Sequence, residues 1–182
     1  MDTLEAEQLL ANAEQIVSAE AVQSALRDLA QRINSELVGQ FPLVLPVMTG
    51  ASVFCGQLLP LLTFPLVLDY LQVSRYGHAE QGGALSWTVI PDEARVRGRT
   101  VLVLDDILDE GETLQAIRDR LLALGTARVY SAVFAEKQTG RIKPVQADFV
   151  GLKLPDRFVF GYGMDIRGVW RNLPAIYALK EQ

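Results

Sequence analysis

What most constrains this chain is a series of short runs that are apolar at nearly every position, at residues 43–49, 66–73, 84–90, 100–105 and 128–135. A strand with one wet face alternates polar and apolar side chains, whereas a strand buried on both faces does not. Such runs alternating with helices point to an α/β fold, a mainly parallel central sheet flanked by helices. Residues 50–62 and 112–124 read as helices, 74–83 as a polar, Gly-bearing loop and 91–99 as a charged connection. Residues 1–40 read as helical, since Asp2 and Thr3 can cap with Glu5 nearby, and Val22, Leu26, Leu29, Ile33 and Leu37 recur on a helical period. Beyond Lys137 the elements shorten between Pro144, Pro155, Gly161, Gly163 and Pro174, the pattern of an irregular hood. At 182 residues the chain fits a single domain, with its core over about residues 40–136 and a hood formed by the N-terminal helices and residues 137–182.

Charge and composition exclude several function classes. A formal net charge of −5 runs against general affinity for nucleic acid, which needs clustered Lys and Arg. One cysteine, Cys55, excludes an intramolecular disulfide, and a single histidine, His78, leaves no thiolate–imidazole metal site. That usage suits a reducing compartment. The N-terminus is acidic and helix-like, unlike a signal peptide, and the most apolar run, residues 58–68, is too short for a bilayer and contains Pro60 and Pro65. A cytoplasmic protein with no membrane partner is expected.

One turn carries the chemistry. Residues 101–114, VLVLDDILDEGETL, read as a strand, a Gly-containing turn and a helix start holding five carboxylates and no Lys or Arg. In an open parallel sheet, ligands bind beyond the C-terminal strand ends, where Asp105 and Asp106 sit. The N–H groups from Glu110 through Gly111 and Glu112 to Thr113 can hold a phosphate at the start of the helix. A carboxylate about 4 Å from one phosphate charge costs roughly 4 kcal/mol at an effective dielectric near 20, and a helix terminus returns only about 0.3–2 kcal/mol. The Glu110 and Glu112 carboxylates must therefore face water. Asp105, Asp106 and Asp109 need another task, such as accepting from hydroxyls or a protonated nitrogen, or holding Mg²⁺. A bland reading, acids favouring a first helical turn, explains Glu110 and Glu112 but explains Asp105 and Asp106 less well. A phosphorelay receiver would pair such acids with a Lys like Lys137, but it has no use for a Gly-Glu-Thr turn directly after them.

The same segment resembles the phosphoribosyl pyrophosphate (PRPP) signature of type I phosphoribosyltransferases. Three further stretches agree in order: PVMTGA at 46–51, where the hypoxanthine-guanine phosphoribosyltransferases have their pyrophosphate loop; VSRYG at 73–77, where they have a flexible closing loop; and FAEKQT at 134–139 with residues 147–165, which resemble their purine-binding part. Several motifs at matching spacing are far more specific than one Gly-rich turn. The resemblance spans about residues 40–173.

That resemblance implies transfer of 5-phosphoribosyl from PRPP to a 6-oxopurine, hypoxanthine or guanine, giving IMP or GMP and pyrophosphate with Mg²⁺. By position, Asp105 and Asp106 would bind the ribose hydroxyls directly or through the metal, Asp109 would act at purine N7, and Glu110, Gly111, Glu112 and Thr113 would wrap the 5-phosphate. Thr49, Gly50 and Arg171 would meet pyrophosphate, and Asp165 a second Mg²⁺. Lys137 would bond purine O6, Phe158 stack on the ring and the Val159 backbone meet its pyrimidine edge, while Ser74, Arg75 and Tyr76 would close over the site. A homodimer or homotetramer is implied, with residues 58–68 as a possible interface. The chain departs from the family pattern at Thr49, where many members have Lys, and at Glu110 and Glu112, where Thr and basic or polar residues are common. A xanthine-preferring relative and a non-catalytic PRPP-fold regulator are the competing readings.

Overall fold

A computed structural model of the chain describes residues 1–75 and 85–180. The seven-stranded sheet contains β2 (Leu43–Met48), β3 (Val67–Leu68), β4 (Leu71–Arg75), β5 (Leu85–Val89), β6 (Thr100–Leu108), β7 (Arg128–Gln138) and β8 (Phe149–Pro155). Its order is β5-β4-β2-β6-β7-β8, with β3 beside the first half of β2. Every pairing is parallel except β4 with β5.

The apolar runs follow from two-sided burial. In β6, Leu102 and Leu104 enter one core with α2 (Ala19–Leu37) and α3 (Ser52–Leu58), while Val101 and Val103 enter another with α5 (Glu112–Ala123). The predicted periodic positions of α2, Val22, Leu26, Leu29, Ile33 and Leu37, are all buried, and the Ser18 side chain caps the helix by accepting from the Ala21 N–H at 3.2 Å.

Several expected boundaries change. The N-terminal helical region is interrupted: α1 (Thr3–Ala11), opened by the Asp2/Glu5 capping box, gives way to β1 (Ala13–Val17). That strand pairs antiparallel with β10 (Ile176–Leu179), a partner no local pattern can announce. The run 66–73 splits at Asp69 and Tyr70, so that β3 follows the lower half of β2 and β4 the upper half. The helix read over 50–62 is α3 plus one 3-10 turn, Leu59–Leu61, because Pro60 cannot supply the N–H that would continue it. The charged connection contains a short α4 (Glu93–Val96).

The division of core and hood also needs correction. β8 is read from the sequence as hood but pairs with β7 in the central sheet, and α2 packs on that same sheet. The hood is instead a three-stranded antiparallel sheet, β1-β10-β9, with β9 at Val159–Phe160. Two side chains tie it down: Arg157 Nη1 lies 2.5 Å from Glu14 Oε1, and the Trp170 indole N–H donates to the Ala6 carbonyl at 2.7 Å. Among the described residues no helix is long and apolar enough to cross a membrane.

Candidate active site

The C-terminal ends of β2, β4 and β6 open into a cleft of about 540 Å³. β6 runs three residues further than the apolar pattern suggests, so Asp105 and Asp106 lie within its last turns of pleat and Asp109 follows its end. The two adjacent carboxylates fold back on their own backbone: Asp105 Oδ1 accepts from the Asp106 N–H at 3.0 Å, and Asp106 Oδ1 accepts from the Ile107 N–H at 2.8 Å. Loss of solvent raises the Asp105 carboxyl well above the ordinary range, and the charge of Asp106 raises it further. Loss of solvent also raises Asp106, against the lowering effect of its hydrogen bonds and the Arg171 guanidinium.

The pyrophosphate-loop candidates stand directly against this pair. Thr49 is exposed, and the peptide joining Met48 to it is cis. Gly50 must lack a side chain, because a Cβ there would overlap the Asp106 carboxylate. Gly163, at φ +99°, presses from the hood against the Gly50 carbonyl with the same result. Opposite, Gly111 at φ +88° precedes α5, whose first N–H groups receive no side-chain cap. Thr113 and Glu110 line the cleft, and Glu110 and Glu112 are exposed, with Arg141 3.9 Å from Glu110.

Asp109 divides this cleft from a second one of about 670 Å³ that Lys137, Arg141 and Lys143 also line. Across the divide Lys137 Nζ lies 2.6 Å from Asp109 Oδ2, with the lysine side chain 13% and the aspartate 46% exposed. Asp165 and Arg171, assigned separate ligands by the sequence reading, bind each other: Arg171 Nη2 is 2.5 Å from Asp165 Oδ1. Asp165 Oδ2 also accepts from the Gly168 N–H at 2.7 Å, and Arg171 Nη1 donates to the Gly163 carbonyl at 2.7 Å. Ser74 lines the first cleft and Arg75 ends β4, whereas Tyr76 lies outside the described residues. Phe158 and Val159 line neither cleft; Phe158 is 54% exposed, and Val159 is buried opposite Ala178. Lys143 and Gly163 escaped the sequence reading as site residues, since each acts through a backbone carbonyl that no motif encodes.

The donor set can be tested against a metal. Two desolvated carboxylates with raised affinity for protons offer hard oxygens to a cation such as Mg²⁺. Among the described residues no group of three or more His, Cys, Asp or Glu could cage an ion, so a cation here would complete its shell with water and substrate oxygens.

A parallel sheet whose acidic strand end faces an uncapped helix start, beneath a small antiparallel hood, defines an α/β protein of the type I phosphoribosyltransferase fold. Residues 12–167 match the family model described as the phosphoribosyl transferase domain, and the chain belongs to that family. It is 32% identical over 165 residues to the hypoxanthine-guanine phosphoribosyltransferase of Bacillus subtilis, covering 91% of this chain and 92% of that one. It is 34% identical over 167 residues to the bifunctional protein TilS/HprT of Listeria monocytogenes, covering 92% of this chain but only 26% of the relative. The chain therefore spans about a quarter of the length of such bifunctional relatives. A crystal structure of a hypoxanthine phosphoribosyltransferase from Staphylococcus aureus superposes with a TM-score of 0.85 at 27% identity, covering 99% of this chain and 96% of that one.

Proposed function

We propose that this protein is a purine salvage enzyme that transfers 5-phosphoribosyl from PRPP to hypoxanthine or guanine, giving IMP or GMP and pyrophosphate. The observation that carries the reading is the Asp109–Lys137 pair, set between the Asp105–Asp106 cleft and a second cleft large enough for a base. In the reaction the C1′–oxygen bond to pyrophosphate breaks, a C1′–N9 bond forms, and the purine loses one proton. The ribose passes through an oxocarbenium-like state, so the site must stabilise the leaving charge and exclude water.

Each side chain then has a task. N–H groups of Glu110, Gly111, Glu112 and Thr113 hold the 5-phosphate, which requires the exposed Glu110 and Glu112 carboxylates to turn away from it. Asp105 and Asp106 accept from the ribose hydroxyls or hold Mg²⁺, which when bound supplies counter-charge to the pyrophosphate. Asp165 is the candidate ligand of a second Mg²⁺, and its bond to Arg171 would have to loosen for both to serve pyrophosphate. Thr49 and Gly50 offer pyrophosphate backbone N–H groups rather than a lysine. Ser74, Arg75 and Tyr76 belong to the closing segment.

On the base side, Asp109 takes the N7 proton as N9 attacks. Lys137 has three donors, so its ammonium can hold the Asp109 carboxylate in place and still donate to O6. An ammonium cannot accept from a 6-amino group, which selects against adenine. Phe158, exposed beside β9, is free to cover the ring, and the Val159 backbone would meet the pyrimidine edge. Assembly as a dimer or tetramer is part of the reading, but of the expected 58–68 interface Leu58 and Phe64 are buried in the chain's own core and Leu68 is 49% exposed.

The decisive experiment offers hypoxanthine, guanine, xanthine and adenine with PRPP and Mg²⁺ and follows nucleotide formation. IMP and GMP are expected and AMP is not. Dominant XMP would shift the assignment to xanthine, and no product from any purine would leave a non-catalytic regulator.

A further inference from the structure

Lys143 is enclosed at the site, with its side chain 10% exposed. Its ammonium uses all three protons: Nζ donates to the Lys137 carbonyl at 2.7 Å, the Leu108 carbonyl at 3.1 Å and Glu136 Oε1 at 3.2 Å. The strand register explains why a cation belongs there. Leu108 opposite Glu136 is the last rung between β6 and β7, and the residues that follow are Asp109 and Lys137. Lys137 stays paired with Leu154 of β8, but on the β6 side the ladder stops, and a carbonyl facing that gap has no strand N–H opposite it; leaving it buried and unpaired costs about 1–3 kcal/mol.

We propose that Lys143 is a positioning residue, clamping the backbone on which Asp109 and Lys137 are mounted and so fixing the 2.6 Å contact between them. The inference rests on the purine-transfer reading and adds to it a residue that touches no substrate. A second contact is separate from the ammonium: the loop's Pro144 and Val145 side chains lie 3.3 Å from where a Cβ of Gly111 would stand, and Lys143 Cβ lies 3.4 Å away. The ammonium therefore serves the base side of the site, and the Pro144 and Val145 side chains support the phosphate side.

That division sets the test. Lys143→Met keeps the stem and its packing but removes every donor. Its turnover should fall about 10–100-fold, the scale of a misplaced reacting group, with a raised KM for hypoxanthine and a KM for PRPP within about twofold of wild type. Glu136→Gln, which spares both carbonyl bonds, should stay within about twofold throughout. Unchanged turnover in Lys143→Met, or losses shared equally by both KM values, would overturn the clamp. If Lys143→Met does not fold, Lys143→Gln takes its place, because its shorter amide cannot span both carbonyls. Hydrogen exchange supplies a readout without substrate: amides around 108–110 and 137–139 should exchange about 10-fold faster in the variant, with α2 unaffected. Uniform acceleration, or none, would refute the clamp even if the wild-type protein forms no nucleotide, a result that would sink only the purine-transfer reading.

Discussion

At the scale of the residue, the site is a problem of surplus negative charge. Asp105 and Asp106 are adjacent and desolvated, Asp109 is paired with Lys137, and Asp165 is paired with Arg171. If Asp109 moves the purine proton, Asp109→Asn should lower turnover by roughly 10²-fold or more, the usual range for a general acid or base. Steady-state turnover with hypoxanthine measures this, and wild-type-like turnover would remove Asp109 from the mechanism. Asp105, Asp106 and Asp109 were legible in the sequence because they crowd the end of an apolar strand, where unpaired carboxylates have no structural use, whereas Asp165 came only from the family resemblance. Their pairings were not. Lys137 follows Asp109 by 28 positions, and the lysine that secures both meets them through carbonyls, which every residue carries.

At the scale of the element, the parallel sheet was legible and the hood was not. Residues 101–104 had to be apolar throughout because alternate side chains enter two different cores. By contrast β1 is Ala-Glu-Gln-Ile-Val, which has no clean alternation, and its partner lies at the other end of the chain. β8 was taken for hood because it lies between Pro144 and Pro155 in the punctuated stretch beyond Lys137. Gly151 is required by packing, since a Cβ there would overlap the Phe134 carbonyl. The contact of hood with sheet at Gly163 can be tested in the same way. Gly163→Ala adds left-handed strain of about 1–2 kcal/mol and pushes a methyl into the Gly50 carbonyl. Gly168→Ala, at φ +87° with open space around it, adds the strain alone. In thermal unfolding Gly168→Ala should lower Tm by about 2–8 °C, and Gly163→Ala by more, with a raised KM for PRPP. Equal shifts in the two variants would mean that the hood does not bear on the pyrophosphate loop.

At the scale of the whole molecule, the acidic pair links stability to pH. Both carboxyls are raised in the folded state above an unfolded value of about 3.9. From about pH 4 up to those raised values the unfolded chain releases protons that the native protein keeps, so the pair's contribution to stability falls as pH rises. A divalent cation that binds only the native, deprotonated pair reverses that loss, by about 2.7 kcal/mol at a hundred times its Kd. Calorimetry with and without Mg²⁺ should therefore show a larger rise in Tm at pH 7.5 than at pH 4.5, and Asp106→Asn should shrink the difference. A Mg²⁺ effect independent of pH would detach the ion from these carboxylates.

The hood joins the two ends of the chain, β1 at residues 13–17 with β10 at 176–179, and β9 joins only through β10. During synthesis the early strands and α2 can pack while most later residues are still unmade, but the hood that carries Gly163 against Gly50 lacks its central strand until β10 has been made. A chain arrested before β10 would have its central sheet and a β1 strand without its partner, open to pairing with another chain. Docking of β10 thus both completes the hood over the cleft and pairs the side of β1 that would otherwise stand open, so completion of the active site and protection of that edge arrive together.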